Sequence, residues 1–268
     1  MEKSLKSFLN ISIIVICLSS CEDKKEKALK ILEFGKYHQG SAQSLNALSL
    51  SAELDPTNAE THRELSIPYL KRGIPHLFKS HMDKAVSLSP ADWQGYRGYN
   101  YLWFYRDYEK AIADFNALDS LTPNFIDAPQ GHSIDYWRGI AYLGLKDYKS
   151  SIAFFEKHIA KETKDFGEDY VDVTAFLYNG IAHFESGNHE KALYNFNKQL
   201  KYSLDLSADA KYYKARILKG KNNLEKAREL IDSAIEDFKQ GYNNKRPYVE
   251  TLREIYLEDL EDFKGTLK

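Results

Sequence analysis

The chain is 268 residues long, with 37 Lys and Arg against 39 Asp and Glu and a formal net charge of −2. That balance excludes a basic surface built for nucleic acid, so no nucleic acid is expected as a partner. Only Cys17 and Cys21 carry thiols, which excludes a disulfide framework.

The first twenty residues read as an address and not as part of the fold. Lys3 and Lys6 open it, and Phe8 to Leu18 is mostly apolar, with Ile11, Ile13, Ile14, Val15 and Ile16 at its centre. A membrane-spanning helix needs roughly 20 apolar residues; this shorter run has the form of a secretory signal. Leu18-Ser19-Ser20-Cys21 follows. These four residues and the apolar run before them resemble the bacterial lipobox, where a small-residue pair precedes a cysteine that is diacylated and becomes the new N-terminus. The resemblance implies a lipoprotein signal peptide over 1–20, lipidation of Cys21, and a lipid-anchored place in a bacterial cell envelope, at an outer membrane and facing the periplasm or the surface. The membrane is then met through acyl chains, each buried CH₂ contributing roughly 0.8 kcal/mol. Residues 21–27, Cys21 with Glu22-Asp23-Lys24-Lys25-Glu26-Lys27, are expected to form a charged, solvated tether. The same run resembles surface-export signals of Bacteroidetes lipoproteins.

From residue 28 onward helix punctuation recurs. Pro56 and Pro90 are 34 residues apart and Pro123 follows 33 later; proline at the end of a helical pattern stops it. Asn58, Asp92 and Asn124 can cap the helices that come next. Asp107-Tyr108-Glu109-Lys110-Ala111-Ile112-Ala113-Asp114-Phe115 has near copies beginning at Asp147 and at Asn188. A second marker, Tyr96-Arg97-Gly98, returns as Trp137-Arg138-Gly139 and Tyr178-Asn179-Gly180.

A unit of this length with these small and aromatic positions resembles the tetratricopeptide repeat. The resemblance covers most of residues 25–238 and implies an all-α fold: a right-handed superhelical solenoid of antiparallel helix pairs, about six units over 28–238, with capping helices. Ser66, Gly98, Gly139, Gly180 and Ala215 take the small position of the first helix. Ala111, Ser151, Ala192 and Ala227 take that of the second, each followed by Phe115, Phe155, Phe196 or Ile231. Two helices about 8–10 Å apart cannot both carry bulk at the crossing. There are departures. Phe78 stands at a small position, and Ile67-Pro68 is expected to interrupt and kink its helix. Gly98 to Gly139 and Gly139 to Gly180 are 41 residues each, so loops are expected over 125–133 and 162–169, at an edge that repeats often use for binding. Residues 239–268 read as a capping helix and tail, with one amphipathic helix over Pro247–Leu260.

No phosphate-binding glycine loop, dinucleotide fingerprint or nucleophile elbow occurs, and none of the eight histidines has partners at metal-ligand spacing. No catalytic residue, cofactor or metal is expected, and the chain reads as non-enzymatic. Arg97 and Arg138 can bind a ligand or pair locally.

In the family, the first helices line the concave face. Counting three before and one after each small position puts Arg63, Ile67, Gly95, Tyr99, Tyr136, Ile140, Leu177, Ile181, Tyr212 and Arg216 toward the concave face, and all but Gly95 bring a side chain to a candidate groove. An aromatic, apolar groove suits an extended or helical peptide; alternatively Tyr136 and Ile140 fall partly in the core and narrow it. The expected function is a lipid-anchored envelope scaffold that binds another protein or peptide. The competing expectation is a surface glycan-binding lipoprotein accessory to polysaccharide uptake, with Trp93, Trp103 and Tyr105 stacking on sugars.

Overall fold

Helices make up most of residues 23–267, the part of the chain described in a computed structural model. Cys21 and the signal peptide over 1–20 lie outside the described residues. Among them are thirteen α-helices and no strand. None is long and apolar enough to cross a membrane. The chain divides into two units, one ending at Trp93 and the other beginning at Gln94.

The first unit holds two helix pairs, α1 (Lys24–Tyr37) with α2 (Ala42–Leu54) and α3 (Ala59–Lys71) with α4 (Pro75–Leu88). Asp23 caps α1 by accepting from the Lys25 N–H at 3.2 Å. The expected tether is therefore corrected from Lys24 on: Lys24 to Lys27 form the first turn of a helix, which a capped start permits in spite of the charge. Ser44 and Ser51 donate to the Gly35 and Ala28 carbonyls at 2.6 and 2.9 Å. Small residues bring α1 and α2 close, and the buried hydroxyls are satisfied across the contact. Asn58 caps α3, accepting from Thr61 N–H at 2.9 Å. The expected interruption at Ile67-Pro68 does not occur. Buried Pro68 lies inside α3, which runs on to Lys71, and its carbonyl still accepts from Arg72 at 3.1 Å.

The second unit holds four pairs. Helix α5 (Pro90–Asn100), which enters the unit at Gln94, continues as a π-turn over Tyr101–Tyr105 and pairs with α6 (Tyr108–Leu121). Then come α7 (Ile134–Gly144) with α8 (Tyr148–Phe166), α9 (Val173–Glu185) with α10 (His189–Tyr202), and α11 (Ala208–Gly220) with α12 (Leu224–Lys239). The recurring Asp or Asn has one local cause: Asp107, Asp147, Asn188 and Asn223 each cap the second helix of a pair by accepting the N–H three residues on. Ser133, Asp172 and Ser207 cap first helices. Asn124 does not, having turned to a left-handed φ of 76°, and Asp92 lies within the first turn of α5.

The small-against-large pattern is met at the crossings. A Cβ added to Gly98, Gly139 or Gly180 would come within 2.9, 2.9 and 2.5 Å of the rings of Phe115, Phe155 and Phe196. The extra residues of the long units are used differently from expectation. Residues 125–133 are a loop with one 3-10 turn at Pro129–Gly131. Glu162 to Phe166 are not loop, because α8 runs 19 residues to Phe166, helped by a Lys161–Asp165 pair one turn apart.

The C-terminal expectation is corrected most. No helix spans Pro247–Leu260. Helix α12 ends at Lys239, Gly241 takes a left-handed φ of 87°, and residues 240–256 have no regular structure. Pro247 pushes Arg246 toward extended backbone, and Tyr248 and Arg253 are left-handed, with φ of 71° and 59°. Only α13 (Leu257–Gly265) is helical there, with Leu260 buried beside Ile231 and Ala234 of α12.

Candidate functional site

The non-helical segment, here the strap (242–256), lies across the first helices of the pairs in the second unit. At α11, the Tyr242 carbonyl accepts from Ala208 N–H at 2.9 Å and the Asn244 N–H donates to the Asp209 carboxylate at 2.8 Å. At α9, the Asn244 amide donates to the Tyr178 hydroxyl at 2.9 Å. Arg246 then reaches α5 and α7. Its Nη2 donates to the Tyr99 hydroxyl at 2.6 Å, and the guanidinium carbon lies 5.5, 4.7 and 5.5 Å from the rings of Tyr99, Trp103 and Trp137. Arg106 donates back to the Glu250 carbonyl. Leu252 is buried in the same core cluster as Tyr136, Ile140, Leu177 and Ile181, and Val249 packs against it. Arg253 closes the strap with a two-pronged pair to Glu185 on α9, at 2.6 and 2.9 Å.

The Arg246 pocket is an aromatic cage built from local rules. Tyr99 and Trp103 are four residues apart and share a helix face, with the π-turn beginning between them. Such an insertion into an α-helix often marks a functional site. Trp137 is fixed by its indole N–H, which donates to the Pro129 carbonyl at 2.8 Å, so loop 125–133 buttresses the cage. Trp137 crosses Trp103 edge-on at 6.2 Å, and His132 stacks on Tyr136 at 4.4 Å. Among the described residues no carboxylate lies within ion-pair distance of Arg246; its partners are π faces and a phenol. Each such cation–π contact contributes about 0.5–2 kcal/mol, more when water is excluded. Burial lowers the pKa of the His132 imidazole, Asp172 pulls it back up, and the Arg246 charge lowers it further. A neutral imidazole beside the cage does not repel the cation.

At the other end of the strap, burial pushes the Asp209 carboxyl up to about 7 against the stabilising bond from Asn244, with Glu254 raising it further. A cleft of 280 Å³ lies between Tyr242–Lys245 and α9 and α10, over Leu177 and Gln199.

The predicted groove residues divide. In the first unit Ile67 is buried, and Arg63 pairs with Glu64 and lies 5.1 Å from the Trp93 ring. In the second unit Tyr136, Ile140, Leu177 and Ile181 are buried, so the expectation of an open groove is corrected there: the core takes them, and the strap shares that core. Tyr99, Tyr212 and Arg216 remain half-buried, Arg216 lying 4.6 Å from the Phe184 ring. Trp103 is buried under Arg246 and unavailable to stack on a sugar. Arg97 and Arg138 pair locally, Arg97 with Asp114 at 2.8 Å and Arg138 with Asp119 and Asp135 at 3.0 and 3.1 Å. Sequence reasoning missed Asn244, Arg246 and Arg253. The available signal was Arg246-Pro247, a dipeptide that opposes helix.

A second cavity, of 570 Å³, opens between α8, α9 and α10, where Asn179 Oδ1 and both ring nitrogens of His183 are buried without hydrogen-bond partners, His183 Nε2 lying 3.8 Å from the Glu156 carboxylate. Among the described residues no cluster of three or more His, Cys, Asp or Glu could hold a metal.

No curated protein sequence matches the chain. Residues 177–242, which carry most of α9 and all of α10 to α12, match the tetratricopeptide repeat family. Solved structures share the fold. PilW, titled a widely conserved type IV pilus biogenesis factor, is 17% identical with a TM-score of 0.60, over 81% of this chain and 92% of its own. PilF from Pseudomonas aeruginosa is 16% identical with a TM-score of 0.59, over 82% and 94%. A tetratricopeptide repeat protein from Parabacteroides merdae is 14% identical with a TM-score of 0.56, over 90% and 84%. The chain is thus an all-α protein of the tetratricopeptide-repeat fold, and over residues 177–242 it carries the sequence of that family as well.

Proposed function

We propose that this chain is a non-catalytic, lipid-anchored scaffold of a bacterial envelope, attached through Cys21, that holds another protein against its repeats. The repeat fold supports protein binding as the coarse activity. The observation that carries the finer reading is the strap itself. The first-helix face of the second unit already holds a non-helical stretch of polypeptide by side-chain anchors at Asn244, Arg246 and Leu252. A face that accepts one non-helical segment has donors, acceptors and apolar sockets that can accept another. The Leu18-Ser19-Ser20-Cys21 sequence supports the anchor.

Photocrosslinking in living cells tests the binding reading. A crosslinking residue at Tyr212 or Arg216, both half-exposed, is expected to trap one dominant envelope protein. Absence of any protein adduct from an abundant, lipidated chain would sink it. Metabolic labelling with an acyl-chain analogue tests the anchor separately: the wild-type chain takes up label and Cys21→Ser does not.

A further inference from the structure

The cage of Tyr99, Trp103 and Trp137 is more than a strut for the strap. Its occupant is a planar cation held by ring faces and one phenol, with no carboxylate in ion-pair reach among the described residues. This is a recognition geometry suited to guanidinium, which stacks on aromatic planes and is more weakly hydrated than ammonium. Two features mark the resident as replaceable. No residue from Tyr242 to Glu250 is fully buried, whereas Thr251, Leu252 and Ile255 are. The arm that carries Arg246 is thus held by backbone bonds at Tyr242 alone and, beyond it, by a few bonds that involve side chains, while the apolar anchor lies further on. The resident also leaves the cage incompletely used. The Trp103 indole N–H, on a side chain only 1% exposed, and Nη1 of neighbouring Arg106 are both buried without an acceptor. An unmet buried donor costs free energy that a better-matched segment recovers.

We infer that the Tyr99–Trp103–Trp137 cage is an arginine-binding site, occupied in cis by Arg246, and that an extended segment of the protein partner displaces residues 242–250 by presenting an arginine of its own. This rests on the protein-binding reading above and names the chemistry of the partner: an arginine in extended backbone, flanked by acceptors that meet the Trp103 and Arg106 donors. The strap then acts as a competitor that sets the threshold for binding, since a tethered segment is present at high effective concentration.

The test uses the full chain and a fluorescent synthetic peptide with the sequence of residues 242–253, followed by anisotropy. Arg246→Ala empties the cage and is expected to bind the peptide at least tenfold more tightly than the wild-type chain. Replacing the peptide's Arg246 equivalent by citrulline, which keeps shape and removes charge, is expected to lose at least tenfold. Equal binding by wild type and Arg246→Ala, or equal binding of the citrulline peptide, overturns the inference. Should Arg246→Ala fail to show a cooperative melt, Arg246→Lys replaces it, with the same order expected and the same reversals. A partner still trapped from Tyr212 while the peptide test fails would leave protein binding standing and remove the arginine cage alone.

Discussion

Arg246 donates to the Tyr99 hydroxyl at 2.6 Å although 147 positions separate them in the chain. That bond ties the strap following the last repeat pair to the first helix of the second unit. With Asn244 on Tyr178 and Arg253 on Glu185, it makes the first-helix face an intramolecular binding surface.

The bond and the ring contacts should separate by mutation. Tyr99→Phe removes one hydrogen bond and keeps a π face, so a loss of about 0.5–1.5 kcal/mol is expected in denaturant unfolding. Arg246→Ala removes the cation from three rings as well and should cost about 1–3 kcal/mol. Equal losses for the two would mean that the rings contribute nothing beyond the phenol.

Gly180 has no room for a side chain, with the Phe196 ring 2.5 Å from where a Cβ would stand. Gly180→Ala should therefore destabilise by about 1–3 kcal/mol. Gly180→Ala with Phe196→Leu should lose less than the sum of the two single changes, because the smaller side chain vacates the contested space. Additive losses would show that the crossing is not tightly packed.

Arg253 and Glu185 hold the far end of the strap at 2.6 and 2.9 Å. The pair is half-buried, and hydrogen bonding to Glu185 raises the Arg253 pKa. Arg253→Ala should speed amide exchange over residues 242–256 while leaving α9 and α10 as protected as before. Uniform loss of protection across the unit would mean that the strap is part of its folding core.

Asp209 links strap and pH. Burial raises its folded pKa from 3.8 to about 7, so the folded state binds the proton more tightly than the unfolded state. The stability this group allows is then fully present below about pH 4 and is lost as pH rises through about 7. Asp209→Asn keeps an acceptor for the Asn244 N–H without the charge. Its Tm should match wild type at pH 4 and exceed it by several degrees at pH 8, the gap opening between those values. A gap constant with pH would show that Asp209 does not titrate across this range.

The repeats were legible because their causes are local. A capping Asp or Asn acts on the N–H three residues on, and a glycine recurs where a neighbouring helix brings a phenylalanine. Periodicity within one unit carries both signals. The residues of the first-helix face were legible as a set, but their exposure was not. Tyr136, Ile140, Leu177 and Ile181 have the same spacing whether they face solvent or a covering segment. The strap shares their core through Leu252, and a contact 147 positions long leaves no periodic trace. The apolar spacing of Tyr248, Val249, Leu252 and Ile255 is also that of an amphipathic helix, whereas the contacts to the cage, to Glu185 and to the core beneath go with the non-helical course. The sequence by itself determined the helix pairs and their crossings, because those follow from interactions within a few turns. The tertiary structure alone decided that residues 242–256 lie across the first helices, because that depends on surfaces that exist only after the pairs have stacked.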